Sequence, residues 1–285
     1  MRESRNTKRL RRGTAGAQAN SGERDRGSGQ GRLFVVSLGP GDSAHLTPAA
    51  EEALKTSDLV VGYRTYVELI RPILGKQKTV ATGMRQELER VNLALDEALS
   101  GKTVSLVSSG DAGIYGMAGL ALEVCQAKKI PLAPEPEGLE ITFIPGVPAF
   151  AAAGSLLGAP LMHDFAAISL SDLLTPWEVI EKRLRMVGEA DFVVAIYNPK
   201  SKKRDWQINR AREILLEFRP SSTPVGIVSR ATRDGEKVTI TDLANMHSYP
   251  IDMQTVIIVG NSRTFTYESF MVTPRGYLDK YDVTE

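Results

Sequence analysis

From Gly31 onward, short apolar runs rich in β-branched residues alternate with longer amphipathic stretches. RLFVVSL (32–38), DLVVGY (58–63), KTVAT (78–82), KTVSLVSSGD (102–111) and LEITFIPG (139–146) read as buried strands. LTPAAEEALKTS (46–57) reads as a helix, with Thr47 as N-cap and Pro48 at the first helical position. TYVELIRPIL (65–74) reads as a helix interrupted at Pro72. RQELERVNLALDEALS (85–100) spaces Leu88, Val91, Leu95 and Leu99 for one helical face, and Ile114 to Lys129 forms a further helix. Five strands separated by helices predict a parallel sheet covered on both faces.

The pattern changes at GAPLMHDF (158–165), which reads as a linker, so the expected domains are 32–160 and 161–285. AAISL (166–170), DFVVAIYNP (191–199), TPVGIVS (223–229), EKVTITDL (236–243) and MQTVIIVG (253–260) follow as strands. Helices are expected at 176–188 and 206–218. The last three strands have short connections, so the second sheet is expected to be mixed. The fold class is therefore α/β, with two α/β domains.

Composition changes this picture mainly at the N-terminus. The 285 residues are 42% hydrophobic and 24% charged, with a formal net charge of +1. Residues 1–31 hold a net +5, no aromatic residue and much Gly, Ser, Asn and Gln, which leaves −4 on the remainder. Such a segment buries too little apolar surface to offset its ordering entropy, and it reads as a disordered basic tail. A body at −4 argues against nucleic acid as partner. The most apolar stretch, 149–162, is about 14 residues with two glycines and a proline, short of the roughly 18–20 that a membrane span needs. No membrane association and a cytoplasmic location are therefore expected. Cys125 is the only cysteine and His45, His163 and His247 lie far apart, so no disulfide framework, iron–sulfur cluster or dedicated metal site is expected.

Five segments could carry chemistry. GPGD (39–42) follows the first strand, where two glycines permit positive φ and close backbone approach; it is equally an ordinary turn. SSGDAGIYG (108–116) ends another parallel strand, where open α/β sheets bind ligands. PGVPAFAAAGSLLG (145–158) opens a helix with small residues, suited to a flat ligand or simply to tight packing. YNPKSKKRDWQ (197–207) bunches Lys200, Lys202, Lys203 and Arg204, either a solvated turn or a clamp for carboxylates. SRATRDGEKVTITDL (229–243) places Arg230 and Arg233 in a strand–loop–strand. The dinucleotide pattern GxGxxG and the Walker pattern are both unmet at the first turn.

In order and spacing, GPGD, SGDAGIYG, IPGVPA, YNPKSKKR, SRATRDGE and a closing VTPRGY resemble the tetrapyrrole (corrin/porphyrin) methyltransferases, over roughly residues 32–278. The YNPKSKKR, MVTPRGY and SSGDAGIYGMAG segments are most similar to the branch acting at C17 of precorrin-3B or cobalt-precorrin-3. Two positions depart from the common pattern: Ser37 stands where a first glycine is frequent, and Ala112 where proline is frequent.

The resemblance implies S-adenosylmethionine (SAM) as methyl donor, held in a cleft between the two domains. It places Pro40, Ser109, Gly110, Asp111, Ile114, Pro148, Ala149, Asn198 and Ala231 at this cofactor. It implies a tetrapyrrole in a trough over Gly39 and Gly41, with Asp42 beside it, and usually a homodimer. The substrate's acetate and propionate groups call for cations, and Arg85, Lys200, Arg204 and Arg233 are the candidates. The implied reaction is methylation of C17 with ring contraction, in cobalamin biosynthesis. Methyl transfer from a sulfonium needs alignment and no side-chain nucleophile, which agrees with the lack of a nucleophilic triad. Asp42, Ser108 and His163 are polar groups near the expected cleft, and none is assigned as acid or base. Competing expectations are action at another corrin carbon, or a binding module without turnover.

Overall fold

The computed structural model describes residues 31–282, so nearly all of the basic tail lies outside the described residues. Strand β1 (Arg32–Ser37) runs through the middle of the first sheet. It is followed by α1 (Pro48–Thr56), β2 (Leu59–Tyr63), α2 (Arg64–Ile70), β3 (Lys78–Thr82), α3 (Glu87–Leu99), β4 (Thr103–Ser108), α4 (Ala118–Lys128) and β5 (Glu140–Ile144). The order is β3-β2-β4-β1-β5 and every pairing is parallel. Thr47 caps α1 by accepting from Ala50 N at 3.2 Å, with Pro48 at the first position. Helix α2 gives way at Arg71–Ile73 to a tighter turn around Pro72, which cannot donate to the helical ladder.

Alternation along β1 sends Leu33 and Val35 to one face and Val36 to the other. The first face packs on α3 and α4, the second on α1 and α2. In α3 the buried stripe is Arg90, Val91, Ala94, Leu95 and Ala98. Leu88 and Leu99, expected on the apolar face, are exposed, because small alanines let the helix approach the sheet through a stripe rotated away from them.

The chain leaves β1 over the α1 face and leaves its neighbour β4 over the α4 face. The two departing loops diverge, opening a crevice at the C-terminal ends of β1 and β4.

The second half comprises α5 (Ala149–Leu157), β6 (Gly158–Ala159), β7 (Phe165–Ser169), α6 (Trp177–Glu189), β8 (Val193–Tyr197), α7 (Gln207–Leu216), β9 (Pro224–Ser229), β10 (Lys237–Asp242), β11 (Thr255–Val259), β12 (Phe265–Tyr267) and β13 (Phe270–Val272). Its main sheet is ordered β10-β9-β11-β8-β7 and is mixed: β7 and β8 are parallel, and the other pairings antiparallel. Helices α6 and α7 cover one face through Ile180, Leu184, Ile208, Ile214 and Leu215. The other face takes Ala153 and Leu157 of α5, and Met271.

That packing crosses the expected division at 160/161. Helix α5 lies N-terminal to it but buries its apolar side on the second sheet, with Leu157 fully buried. Burying such a side chain stabilises by about 1.5–3 kcal/mol, so α5 belongs energetically to the second half and the packing boundary is the 145–148 turn. The expected linker 158–165 is also partly structured: Gly158 and Ala159 form β6, paired with β13 in a three-stranded sheet β12-β13-β6.

Candidate active site

The crevice at β1 and β4 is closed at its base by backbone. Gly39 N donates to Gly110 O at 3.1 Å and Gly110 N to Gly39 O at 2.7 Å. Both residues have positive φ (71° and 67°), which glycine adopts without steric cost. Thus the GPGD and SSGD turns form one unit. Ser37 Oγ, at the end of β1, accepts from Ala112 N at 2.8 Å and ties the second turn down further. Asp111 extends the unit to the loop after β5: its carboxylate accepts from Gly113 N at 2.8 Å and from Gly146 N at 3.0 Å. Beside it, the start of α5 comes close, with Ala149 N 3.6 Å and Pro148 Cα 3.9 Å from where a Gly110 Cβ would lie.

The second half presents its own strand ends to this unit. Strands β7, β8 and β9 all end on one edge, since β8 and β9 both run antiparallel to β11. Contacts of Tyr115, Tyr197 and Arg233 join the edges. Tyr115 Oη donates to Ala167 O at 2.9 Å. Phe150 N donates to Tyr197 Oη at 3.0 Å, and the Tyr115 and Tyr197 rings meet at 5.1 Å between centroids. Arg233 reaches across to donate from Nε to Pro40 O at 2.6 Å and from Nη2 to Ser109 Oγ at 2.7 Å. A Cβ on Gly41 would lie 2.3 Å from Arg233 Cγ, so only glycine there lets the arginine stem cross the turn.

The cleft is electrostatically biased. Burial pulls the Arg233 guanidinium below its ordinary range, offset in part by Tyr66; arginine nevertheless stays charged at neutral pH. Burial pushes the Tyr66 phenol up, and that of Tyr197 up to about 12, so both are neutral donors or acceptors. Arg90 is 4% exposed and donates to Thr82 Oγ1 at 2.7 Å and Gly83 O at 3.0 Å, next to the Tyr63 ring.

The expected cofactor residues thus fall on two facing edges. Pro40, Ser109, Gly110, Asp111, Ile114, Pro148 and Ala149 lie on the first-sheet turns, and Asn198 and Ala231 on the second. Asn198 has φ of 50° and donates from Nδ2 to Ser169 Oγ at 3.0 Å. Of the expected substrate residues, Gly39, Gly41 and Arg233 meet at the cleft. Asp42 lies beside them, but its carboxylate caps the 43–45 turn, accepting from His45 N at 3.2 Å and pairing with His45 Nδ1 at 2.5 Å. Arg85 is exposed at φ 66° on the loop before α3. Lys200 lines a separate pocket, described below.

Arg204 is turned inward. It is 7% exposed, with Nη1 donating to Asn198 O and Nη2 to Met253 Sδ at 3.6 Å. The 201–204 turn folds the side chain inward, so the guanidinium supports the Asn198 backbone and is not offered to solvent.

Thr232 stands beside these residues and was not among the expected ones. Its Oγ1 is buried without a hydrogen-bond partner, 2.8 Å from where a Gly41 Cβ would lie. An unpaired buried hydroxyl is costly, and here it sits beside Ala231 at the cleft. The ATR sequence adjoining Ala231 is the only signal that could have marked it. A ligand bearing hydroxyl, amine and carboxylate groups, as SAM does, fits these residues.

The model of the tetrapyrrole (corrin/porphyrin) methylases matches residues 32–247. The chain belongs to that family. The methylase is 50% identical over 256 residues to the cobalt-factor III methyltransferase of Priestia megaterium, covering 90% of this chain but 47% of that one. It is 48% identical over 245 residues to a "Probable cobalt-factor III C(17)-methyltransferase" of Salmonella typhimurium, covering 86% and 99%. To the precorrin-3B C(17)-methyltransferase of Sinorhizobium sp. it is 40% identical, covering 87% and 97%. The methylase thus spans about half of the Priestia protein and nearly all of the other two. Its fold matches the crystal structure of the methyltransferase CobJ with a TM-score of 0.79 at 38% identity, over 86% of this chain and 100% of that one. A Thermus thermophilus uroporphyrin-III C-methyltransferase, solved with S-adenosyl homocysteine, shares the fold at a TM-score of 0.62, 23% identity, and 81% and 97% coverage. Among the described residues no helix is long and apolar enough to cross a membrane, and no three His, Cys, Asp or Glu side chains cluster as for a metal.

Proposed function

We propose that this methylase transfers a methyl group from SAM to C17 of a corrin precursor, precorrin-3B or its cobalt counterpart, with ring contraction, in cobalamin biosynthesis. Identity of 48% across nearly the full length of the Salmonella relative supports the reaction. The relatives at 50% and 48% are named for the cobalt form and the one at 40% for the metal-free form, which favours the cobalt-bearing substrate.

The observation that carries the reading is the fused pair of glycine turns at the strand switch point, spanned from the other domain by Arg233. Bound SAM supplies an electrophilic methyl on a sulfonium, so the chain's task is alignment, which can contribute roughly 7–11 kcal/mol. The Gly39–Gly110 bridge gives a rigid floor, the Asp111 carboxylate fixes the adjoining turn, and Thr232 Oγ1 offers an unspent hydrogen-bonding group. Arg233 is placed to exchange its contacts with Pro40 O and Ser109 Oγ for a substrate carboxylate. The same reading takes domains at 32–160 and 161–285 by sequence, with α5 packed on the second sheet, and a cytoplasmic homodimer. The exposed rings of Phe265, Tyr267 and Phe270 offer apolar surface for the dimer.

The test is an anaerobic single-turnover reaction with methyl-labelled SAM and, separately, precorrin-3B and the cobalt counterpart. The expected product carries the label at C17 of a contracted ring, located by carbon NMR and mass. Label at another carbon, or tight binding of both ligands without transfer, would overturn the assignment.

A further inference from the structure

A second pocket lies on the second domain, against the 230–236 loop. Its walls are Lys200, from the loop after β8; Ser229, Arg230, Gly235 and Lys237, from the β9–β10 connection; and Tyr249 to Asp252, from the segment before β11. Its volume is about 340 Å³, within the range of small-molecule sites.

Its charge is unbalanced. Lys200, Arg230 and Lys237 converge on it, and among the described residues none of the three has a carboxylate in ion-pair contact. Of the acids at or beside the pocket, Asp252 and Glu236 are engaged in local hydrogen bonds. Asp252 Oδ1 accepts from Gln254 N at 2.8 Å and from Thr255 Oγ1 at 3.0 Å. Glu236 Oε2 accepts from Thr232 N at 2.7 Å. Arg230 is held in place: its φ is 54°, its N donates to Gln254 O at 2.9 Å, and its guanidinium packs where a Gly235 Cβ would be 3.3 Å away. Three gathered cations repel one another, and an anion relieves that cost. Tyr249, Pro250 and Ile251 add an apolar wall.

We propose that this pocket is an anion-binding site for a ligand presenting two or more carboxylate or phosphate groups. The groups come either from the carboxylate arms of a macrocycle extending out of the cleft or from a free small polyanion. The site is independent of the C17 assignment. Occupancy acts on the loop that carries Ala231, Thr232 and Arg233, so the pocket is positioned to couple to the cleft.

The test uses the full chain and two probes, uroporphyrin III (a polycarboxylate macrocycle) and inorganic tripolyphosphate, with affinity measured by calorimetry. The variants are Arg230→Gln/Lys237→Gln and Lys237→Glu alone; Lys237 is exposed on β10 with no side-chain bond, so the latter keeps its fold. SAM affinity is the control for an intact cleft. The expected result is at least a tenfold loss for one probe in both variants, with SAM affinity within threefold of the parent. Loss for uroporphyrin alone identifies macrocycle arms as the occupant; loss for tripolyphosphate identifies a free polyanion. The proposal is overturned if the parent binds neither probe, or if both variants bind both probes as the parent does.

Discussion

The Arg233 guanidinium, carried by the second domain, donates to Ser109 Oγ in the first at 2.7 Å, across a sequence separation of 124 residues. The same side chain holds Pro40 O. On the same glycine turns, the space bounded by Gly39, Gly41, Asp42, Leu69, Ile73 and Ser109 is about 20 Å³, room for one water and not for a macrocycle. In the proposed reaction Arg233 exchanges these two oxygens for a substrate carboxylate.

Replacing Arg233 tests this directly. Charge-assisted hydrogen bonds contribute about 1.5–3 kcal/mol each, and 1.4 kcal/mol corresponds to roughly tenfold in rate or affinity. Both Arg233→Ala and Arg233→Lys are expected to lower single-turnover methylation at saturating SAM by at least about tenfold, since a lysine point charge cannot serve two oxygens in fixed geometry. Parent-like turnover in Arg233→Lys would refute a role for the two-point contact.

Gly110 separates backbone need from space. A Cβ there meets Ala149 N at 3.6 Å and Pro148 Cα at 3.9 Å, ordinary contacts, but φ is 67°. Gly110→Ala is expected to cost about 1–2 kcal/mol, the price of a left-handed residue, in chemical denaturation. Gly110→Arg puts bulk between the turn and α5 and is expected to abolish SAM binding in a folded protein. Calorimetry showing parent-like SAM affinity in Gly110→Arg removes this turn from the cofactor site.

The strands of both main sheets were legible because each is a β-branched run bounded by turn residues, as in RLFVVS and TVIIV. The small sheet was not: β6, β12 and β13 have two or three residues each, too few to show a period. Glycine turns at strand ends were legible as candidate sites, but their mutual pairing, Gly39 with Gly110, is a tertiary fact. The inward turn of Arg204 is a tertiary fact of the same kind. A cation in a KSKKR loop looks solvated, and only the 201–204 turn reveals that one of the four points inward. Helix α5 was assigned by chain order to the first domain, while its apolar side matches the second sheet.

Arg204 is expected to act as a positioning residue through Asn198, whose carbonyl it holds and whose side chain donates to Ser169 Oγ. Arg204→Met retains apolar bulk but removes the donors to Asn198 O. Leaving a buried acceptor unpaired costs about 1–3 kcal/mol. The expected outcome is that lower stability together with at least a threefold rise in KM for SAM, and a smaller change in KM for the tetrapyrrole. A clamp on substrate carboxylates predicts the reverse split.

Alkaline pH tests the contact of Tyr197 with the start of α5. Tyr197 Oη accepts from Phe150 N at 3.0 Å, and burial, as the first cause, raises its pKa from the ordinary 10 to about 12. Between those values the folded state keeps a proton that the unfolded state has lost, so stability must fall with rising pH. Below pH 10 both states are protonated and the group contributes no slope. Burial also raises Tyr66 and Tyr115, which add to the same alkaline slope. Tyr197→Phe keeps the ring against Tyr115 but removes the titrating group and the acceptor for Phe150 N. It is expected to be less stable than the parent at pH 8 by about 1 kcal/mol, the worth of a typical hydrogen bond. Between pH 10 and 12 its stability should fall less steeply than the parent's. Denaturant unfolding across pH 8–12 reads both effects, and identical slopes for parent and variant above pH 10 would place the alkaline transition on other groups.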